Sequence, residues 1–316
     1  MSASRELVFA ACAPGLEPVL ARELGSLGLA ARAVPGGAEA QGEDAVAIAC
    51  VGSRVADAVA LRLYVGGESG AERALAAARS RYGPQASLAL RRSAGSATVS
   101  IDAVGGPLYK RGWRARVGAA PLRETLAAGI LLAAGYTGEE PFLDPMCGSG
   151  TLAVEAHDIA ARRAPGRARR FAFESWPGHD ERRTAAVRER LGCGERVPPA
   201  PIHASDRNAG ALRLAAKNAA AAGAAAIRFE RRDAADVEPP AGAGLVAVNP
   251  PYGGRLEGDP TPAWLSLASL LARLPGWRAA IIAPDRGLDR LVGRTPETVL
   301  RLRNGGLACR LLTFGA

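Results

Sequence analysis

Residues 249–252 read Asn-Pro-Pro-Tyr and follow an apolar run, Gly244 to Val248; about a hundred residues upstream stands Asp144-Pro145-Met146-Cys147-Gly148-Ser149-Gly150-Thr151, where a strand turns into a helix. Proline at a strand end stops the ladder and releases backbone carbonyls from it. The Asn249 side-chain oxygen and the Pro250 carbonyl can then both accept hydrogen bonds from one exocyclic amino group, while Tyr252 offers a face for a planar group. Catalysis of this kind is orientation and electrostatics around an already activated donor. Upstream, Gly148 and Gly150 permit a tight turn and close approach of backbone to a ligand.

Two further acids fall at strand ends. Asp206 closes Ile202-His203-Ala204-Ser205, and Asp233 closes the run from Arg228. A carboxylate at the first position suits ribose hydroxyls, and one at the second suits an adenine amino group. Either alone is equally a helix cap; together, after a glycine turn, they describe an adenosine site. The spacing misses Gly-x-Gly-x-x-Gly and lacks the Gly-Lys-Ser/Thr of a P-loop, which disfavours NAD and ATP. The ensemble reads as S-adenosylmethionine-dependent methylation of an amino group. Cys147 near a helix start has no accompanying base, so nucleophilic catalysis is disfavoured.

These residues need a framework of alternating strands and helices. Strands are predicted near 141–144, 201–205, 226–231, 244–249 and 278–283, with a hairpin of 297–303 and 307–314 about Asn304-Gly305-Gly306. That is an α/β fold: a Rossmann-like class I methyltransferase sheet, mainly parallel and closing on an antiparallel hairpin. A helix over 151–163 follows the glycine loop. Residues 5–65 read βαββαβ, a ferredoxin-like order, with the helical stripe of Leu16, Val19, Leu20, Leu24 and Leu27 ending at Gly28. A helix over 71–81 and strands at 86–91 and 96–102 follow. The predicted division is 1–108 (ferredoxin-like plus a reduced RNA-binding region), a basic linker at 109–120, and a methyltransferase domain at 121–316.

The chain has 316 residues, 48% hydrophobic and 22% charged, with a net charge of +9. Length and composition suit a two-domain globular protein. No apolar stretch approaches the ~20 residues that span a bilayer. The run Leu7 to Ala13 is read as a strand, not a leader, and a cytoplasmic location is expected. Five scattered cysteines without Cys-x-x-Cys, and three histidines without ligand spacing, disfavour a disulfide framework and a metal site. Lys110 and Lys217 are the only lysines; base composition of the gene would explain the choice of arginine, but the cationic excess favours a polyanionic partner. Lys110, Arg111, Trp113 and Arg114 in the linker suit phosphate contact with base stacking, or equally a linker pinned by its aromatics. Arg162, Arg163, Arg167, Arg169 and Arg170 suit a phosphate clamp, or a solvated loop.

With these residues in place, the chain resembles the THUMP-containing RNA guanine-N2 methyltransferases, in particular the methyltransferase half of the large-subunit ribosomal RNA member. The likeness covers nearly all of 121–316: Pro121-Leu122-Arg123-Glu124-Thr125-Leu126, the Asp144–Thr151 loop, Ala164-Pro165-Gly166, Phe171–Trp176, Asn249–Tyr252 and Asn304 to Leu311. It implies S-adenosylmethionine as cofactor, with Asp144, Gly148 and Gly150 at the methionine side and Thr125, Pro145, Cys147 and Thr151 beside them. Asp206 is implied for ribose, Asp233 with Ala234 for adenine, and Asn249 through Tyr252 for the target base. RNA is the implied partner, ribosomal first and transfer RNA second, at an unpaired or flipped guanine. The start of the chain, with Cys12 to Glu17, shares the likeness. The stretch from Gly66 to Asp102 is short for a full THUMP module, and one methyltransferase domain stands where some relatives carry two. Rival expectations are adenine N6 in DNA, glutamine in protein, or a non-catalytic RNA-binding assembly factor.

Overall fold

The computed structural model describes residues 5–114, 122–251, 259–284, 287–304 and 306–315. Tyr252, the 115–120 part of the basic linker, Pro121 and Gly305 lie outside them. The chain divides into two compact units: Met1–Tyr109 with Ala164–Gly194, and Lys110–Arg163 with Glu195–Ala316. Residues 164–194, assigned from sequence to the methyltransferase domain, therefore pack with the N-terminal unit. The reason is long-range backbone pairing. Gly166 N donates to Val51 O (2.9 Å), Ala172 N to Val104 O (3.2 Å) and Phe173 N to Ala103 O (3.1 Å).

The N-terminal unit runs β1 (Glu6–Ala11), α1 (Glu17–Ser26), β2 (Ala30–Val34), β3 (Gly37–Gly42), α2 (Ala45–Gly52) and β4 (Ala58–Gly66). The α1 stripe buries Val19, Leu20 and Leu24, and the turn after it places Gly28 at φ +92°, where a side chain would be strained. The reduced region is α3 (Glu68–Tyr82) with the hairpin β5 (Leu88–Ser93) and β6 (Ser96–Asp102). It extends the same sheet, whose order is β2-β3-β1-β4-β6-β5.

The second unit holds α4 (Glu124–Ala133), β7 (Phe142–Asp144), α5 (Thr151–Ala160), β8 (Ile202–Ser205), α7 (Ala209–Ala221), β9 (Ile227–Glu230), β10 (Leu245–Val248), α8 (Thr261–Ala272), β11 (Arg278–Pro284), β12 (Thr298–Asn304) and β13 (Leu307–Phe314); α6 (Glu181–Gly192) belongs to the first unit. The sheet order is β12-β13-β11-β10-β7-β8-β9. Strands β7 to β11 pair in parallel, and β13 runs antiparallel to both β11 and β12. Every residue of β10 is buried, the continuous apolar run expected where helices cover both faces. Leu143, Val246, Val248, Trp264, Leu267 and Ile281 share one core cluster, which fixes the strand ends from which the polar residues project. Among the described residues no helix is long and apolar enough to cross a membrane.

Candidate active site

The carboxyl ends of β7, β8, β9 and β10 open into a cavity of about 600 Å³ within the second unit. Asp144, Asp206, Asp233 and Asn249, one from each strand end, all line it, as open α/β sheets require of a ligand crevice. Pro145, Cys147, Gly148, Thr151, Ala234, Pro250 and Pro251 are on its wall as well. Thr125 is not: it is buried within α4, and Leu122 faces the cavity in its place.

The glycine loop is held by its neighbours. Cys147 N donates to Ser205 O (2.8 Å) and Gly150 N to Cys147 O (2.8 Å). Gly148 N donates to Asp206 Oδ2 (2.9 Å), and Asp206 Oδ1 accepts from Asn208 N (2.8 Å). Asp206 thus organises the turn as well as facing the cavity. The two glycines serve different ends. Gly148, at φ +54°, has nothing within 4 Å where a Cβ would stand, so a ligand can approach its backbone. Gly150, at φ +81°, turns toward α7, where a Cβ would meet the Ala215 Cβ at 3.0 Å.

Asp144 is 1% exposed. Burial pushes its carboxyl well above the usual aspartate range; the Met146 amide opposes this and the charge of Asp206 adds to it. A cationic ligand would relieve that pair, as the sulfonium and ammonium of S-adenosylmethionine would. Burial likewise raises the Cys147 thiol, so a thiolate nucleophile is disfavoured. Asp233 Oδ1 caps the turn that follows, accepting from Ala235 N at 3.1 Å. Asn208, which sequence reading passed over, caps α7 through Gly210 N (2.8 Å) and Ala211 N (3.1 Å) and lines the cavity; its signal was an Asx residue at a strand–helix junction. Asn304 and Leu307, from the closing hairpin, line the cavity too, where only a turn was foreseen.

Asn249 Oδ1 is buried and has no hydrogen-bond partner among the described residues. The next carbonyl but one is fixed, since Trp264 Nε1 donates to Pro251 O at 3.2 Å.

The arginines expected on RNA are largely engaged inside the fold. Arg111 pairs with Glu155 at 3.3 Å, with side chains 4% and 3% exposed. Trp113 is buried, not presented for stacking, and Arg114 is bonded to Glu124, Leu122 and Thr151. Arg169 donates to Pro107 O (2.7 Å) and Gly106 O (3.0 Å), and Arg167 to Ala164 O (3.1 Å). The adjacent Gly106 and Pro107 carbonyls lie in a loop, and the Arg169 guanidinium satisfies both as a fork. Lys110 is exposed, and the Arg170 side chain is 86% exposed. Among the described residues no group of histidine, cysteine or carboxylates is placed to hold a metal ion.

The parallel sheet, its closing hairpin and a cavity at the strand ends define a class I methyltransferase domain, the class whose methyl donor is S-adenosylmethionine. Residues 111–313 match the RMKL-like methyltransferase domain family and residues 8–60 the RlmL ferredoxin-like domain, so the chain belongs to the RMKL-like methyltransferase family. It is 40% identical over 242 residues to the ribosomal RNA large subunit methyltransferase K/L of Allochromatium vinosum, covering 69% of this chain and 32% of that protein. With the same-named protein of Methylococcus capsulatus it is 38% identical over 246 residues, 73% of this chain and 33% of the relative. The chain thus spans about a third of the length of these relatives. Its fold matches the crystal structure of SMU.472 complexed with SAH at a TM-score of 0.86, with 24% identity over 99% of this chain and 98% of that one.

Proposed function

We propose that this chain transfers a methyl group from S-adenosylmethionine to the exocyclic N2 amino group of a guanine in RNA, with large-subunit ribosomal RNA as substrate. The observation that carries the amino-group reading is the Asn249 side chain. Its Oδ1 is buried without a partner among the described residues, on the wall of the cavity that holds Asp144 and Gly148. An acceptor left unmatched costs about 1–3 kcal/mol, so the site is built for a donor that arrives with the substrate. An amino group with two N–H bonds supplies it, one to Asn249 and one to the Pro250 carbonyl.

When bound, S-adenosylmethionine supplies a methyl group activated on a sulfonium. Asn249 and Pro250 fix the plane of the amino nitrogen and turn its lone pair toward that methyl. With the donor bound, the methyl would pass to nitrogen as its bond to sulfur breaks, the bonding pair returning to sulfur to leave the neutral thioether, and the two oxygens would stabilise the positive charge that grows on the nitrogen and its protons. The proton leaves to solvent afterward. Asp206 and Asp233 bind the ribose and adenine of the donor, and Tyr252, outside the described residues, is proposed to stack on the target base.

RNA, and guanine within it, rest on the names of the relatives, the family likeness and the cationic excess. Exposed Lys110 and Arg170 remain candidates for phosphate contact. A cytoplasmic location is part of this proposal. Transfer of labelled methyl to unmodified ribosomal RNA, transfer RNA, DNA and protein, by wild type and Asn249→Ala, tests the reading. N2-methylguanosine formed by wild type and abolished in the variant supports it. Label appearing in N6-methyladenine or glutamine instead overturns the guanine assignment.

A further inference from the structure

The cavity at the strand ends has two chemically different halves. Its charged lining, Asp144, Asp206, Arg207, Arg232 and Asp233, comes from the ends of β7, β8 and β9 and the loops just beyond them. From β10 onward the wall changes character. Asn249, Pro250, Pro251, Ala263, Asn304 and Leu307 are neutral, and among the described residues no charged side chain lines the cavity with them there. The sheet order β12-β13-β11-β10-β7-β8-β9 puts Asn249 between the two halves. A donor laid over β7 to β9 leaves the neutral half for the molecule that presents its amino group to Asn249. Apolar walls with a few fixed polar groups suit an uncharged planar heterocycle.

Asn304 and Leu307 are the last pair of the β12–β13 ladder and stand directly opposite one another. Opposed residues of an antiparallel pair project from the same face, and both line the cavity. Asn304 is 5% exposed and Leu307 37%. The amide is therefore held inside the wall where the hairpin closes, and the leucine stands farther out with an apolar surface for the face of a ring. A primary amide carries an acceptor and donors in one plane, the fork that pairs two adjacent groups on a base edge. Among the amino-bearing bases, guanine alone has a ring N–H beside its amino group, followed by the O6 acceptor. The ring nitrogen beside the amino group of adenine or cytosine is an acceptor. Guanine thus offers an amide two bonds at once, where the other two offer one.

We infer that Asn304 is a specificity residue for the target base: its amide accepts from N1–H and donates to O6 of the guanine whose amino group Asn249 holds, while Leu307 covers a face of the ring. A flipped base is read in this way, along its Watson–Crick edge. This rests on the guanine reading above. It assigns the discrimination among bases to the closing hairpin, a part of the sheet remote in sequence from Asn249–Tyr252.

The test compares two bases at one position. 2-Aminopurine keeps the amino group of guanine on the same carbon but lacks N1–H and O6. Unmodified large-subunit ribosomal RNA is assembled by ligation with guanine or 2-aminopurine at the nucleotide that labelled transfer locates, and kcat/KM is measured on each. Wild type should favour guanine. Asn304→Ala should lower kcat/KM for guanine about 10- to 100-fold, the scale of a two-bond contact to a base. Its value for 2-aminopurine should change less than about threefold, and any difference in intrinsic reactivity between the bases cancels in the comparison of variant with wild type. Leu307→Ala, which touches a face and not an edge, should lower both bases by the same factor. S-adenosylhomocysteine affinity, measured by titration, should stay near wild type, which separates a lost base contact from a lost fold. Asn304→Ser, with a small polar side chain at the buried position, should repeat the selective loss. An Asn304 variant that binds S-adenosylhomocysteine normally and loses both bases equally, or neither, overturns the inference and leaves the guanine reading standing. Wild type that methylates no guanine in this RNA overturns that reading and the inference with it.

Discussion

The indole Nε1 of Trp264, a residue with no solvent exposure, donates to the carbonyl of Pro251 at 3.2 Å. A core side chain of α8 thereby pins the proline pair that follows Asn249. The Pro251 carbonyl is turned to the interior, and in the proposed function the preceding oxygens face the substrate. Trp264→Phe keeps an aromatic but loses that bond. Stability should fall by about 1–3 kcal/mol, measured by denaturant unfolding. The turnover rate should fall about tenfold, because small displacements of an aligned group are costly. Donor affinity, measured by titration, should hardly change.

Asn249→Ala removes the unmatched acceptor. Methyl transfer should drop by at least about 100-fold, the scale of losing one preorganised polar group at the reacting atom. S-adenosylhomocysteine affinity should stay within a few-fold, because the alanine retains the backbone of the strand end. Rate and binding measured on one preparation separate these; a parallel collapse of both would place Asn249 in the donor site instead.

Asp206 accepts from the amides of Gly148 and Asn208. Asp206→Ala should therefore weaken donor binding at both the ribose and the glycine turn, by about 10- to 100-fold. A thermal shift should accompany it in the ligand-free protein, since two amides lose their acceptor.

Arg111→Ala leaves Glu155 buried without its guanidinium. The expected cost is about 3–5 kcal/mol of stability, seen as a lowered melting temperature. If Arg111 were instead a phosphate contact, the variant would melt like wild type and show a reduced salt dependence of RNA binding.

Asp144 carries a carboxyl whose ionisation is opposed by burial first and by Asp206 in addition. Its folded value lies above its unfolded one. The contribution to stability is thus fully present below the ordinary aspartate range and is lost as pH rises through the raised value. Asp144→Asn removes that dependence. The ligand-free variant should gain on wild type in melting temperature as pH rises from about 4 toward neutrality. A difference that shrinks with rising pH would show that the carboxylate is better accommodated than its burial implies.

Much of the site was legible because it is local. An apolar run stopped by Asn249-Pro250-Pro251, acids one residue beyond β8 and three beyond β9, and Asn-Gly between two strands each write a strand end into a few consecutive residues. What escaped the sequence depends on distant partners. Arg111 meets Glu155 across 44 positions, and Arg169 meets Pro107 across 62; a charge run announces cations without saying which carbonyl or carboxylate consumes them. Trp113 looked like a stacking platform because aromatic type says nothing about exposure. Thr125 sat in a recognisable motif, yet it is buried within α4, and Leu122, two residues before that helix, faces the cavity.

The return of Ala164–Gly194 to the first unit bears on the order in which the chain can fold as it is made. Strands β1 to β6 are all synthesised by residue 109, but the segment that donates to Val51, Ala103 and Val104 emerges tens of residues later, on the order of ten seconds at cellular rates of elongation. Until then those carbonyls and the surface around them stay open, while α4, β7 and α5 have already appeared. The first unit is therefore completed after the second has begun, and a fragment ending at residue 109 should be markedly less stable than the intact chain.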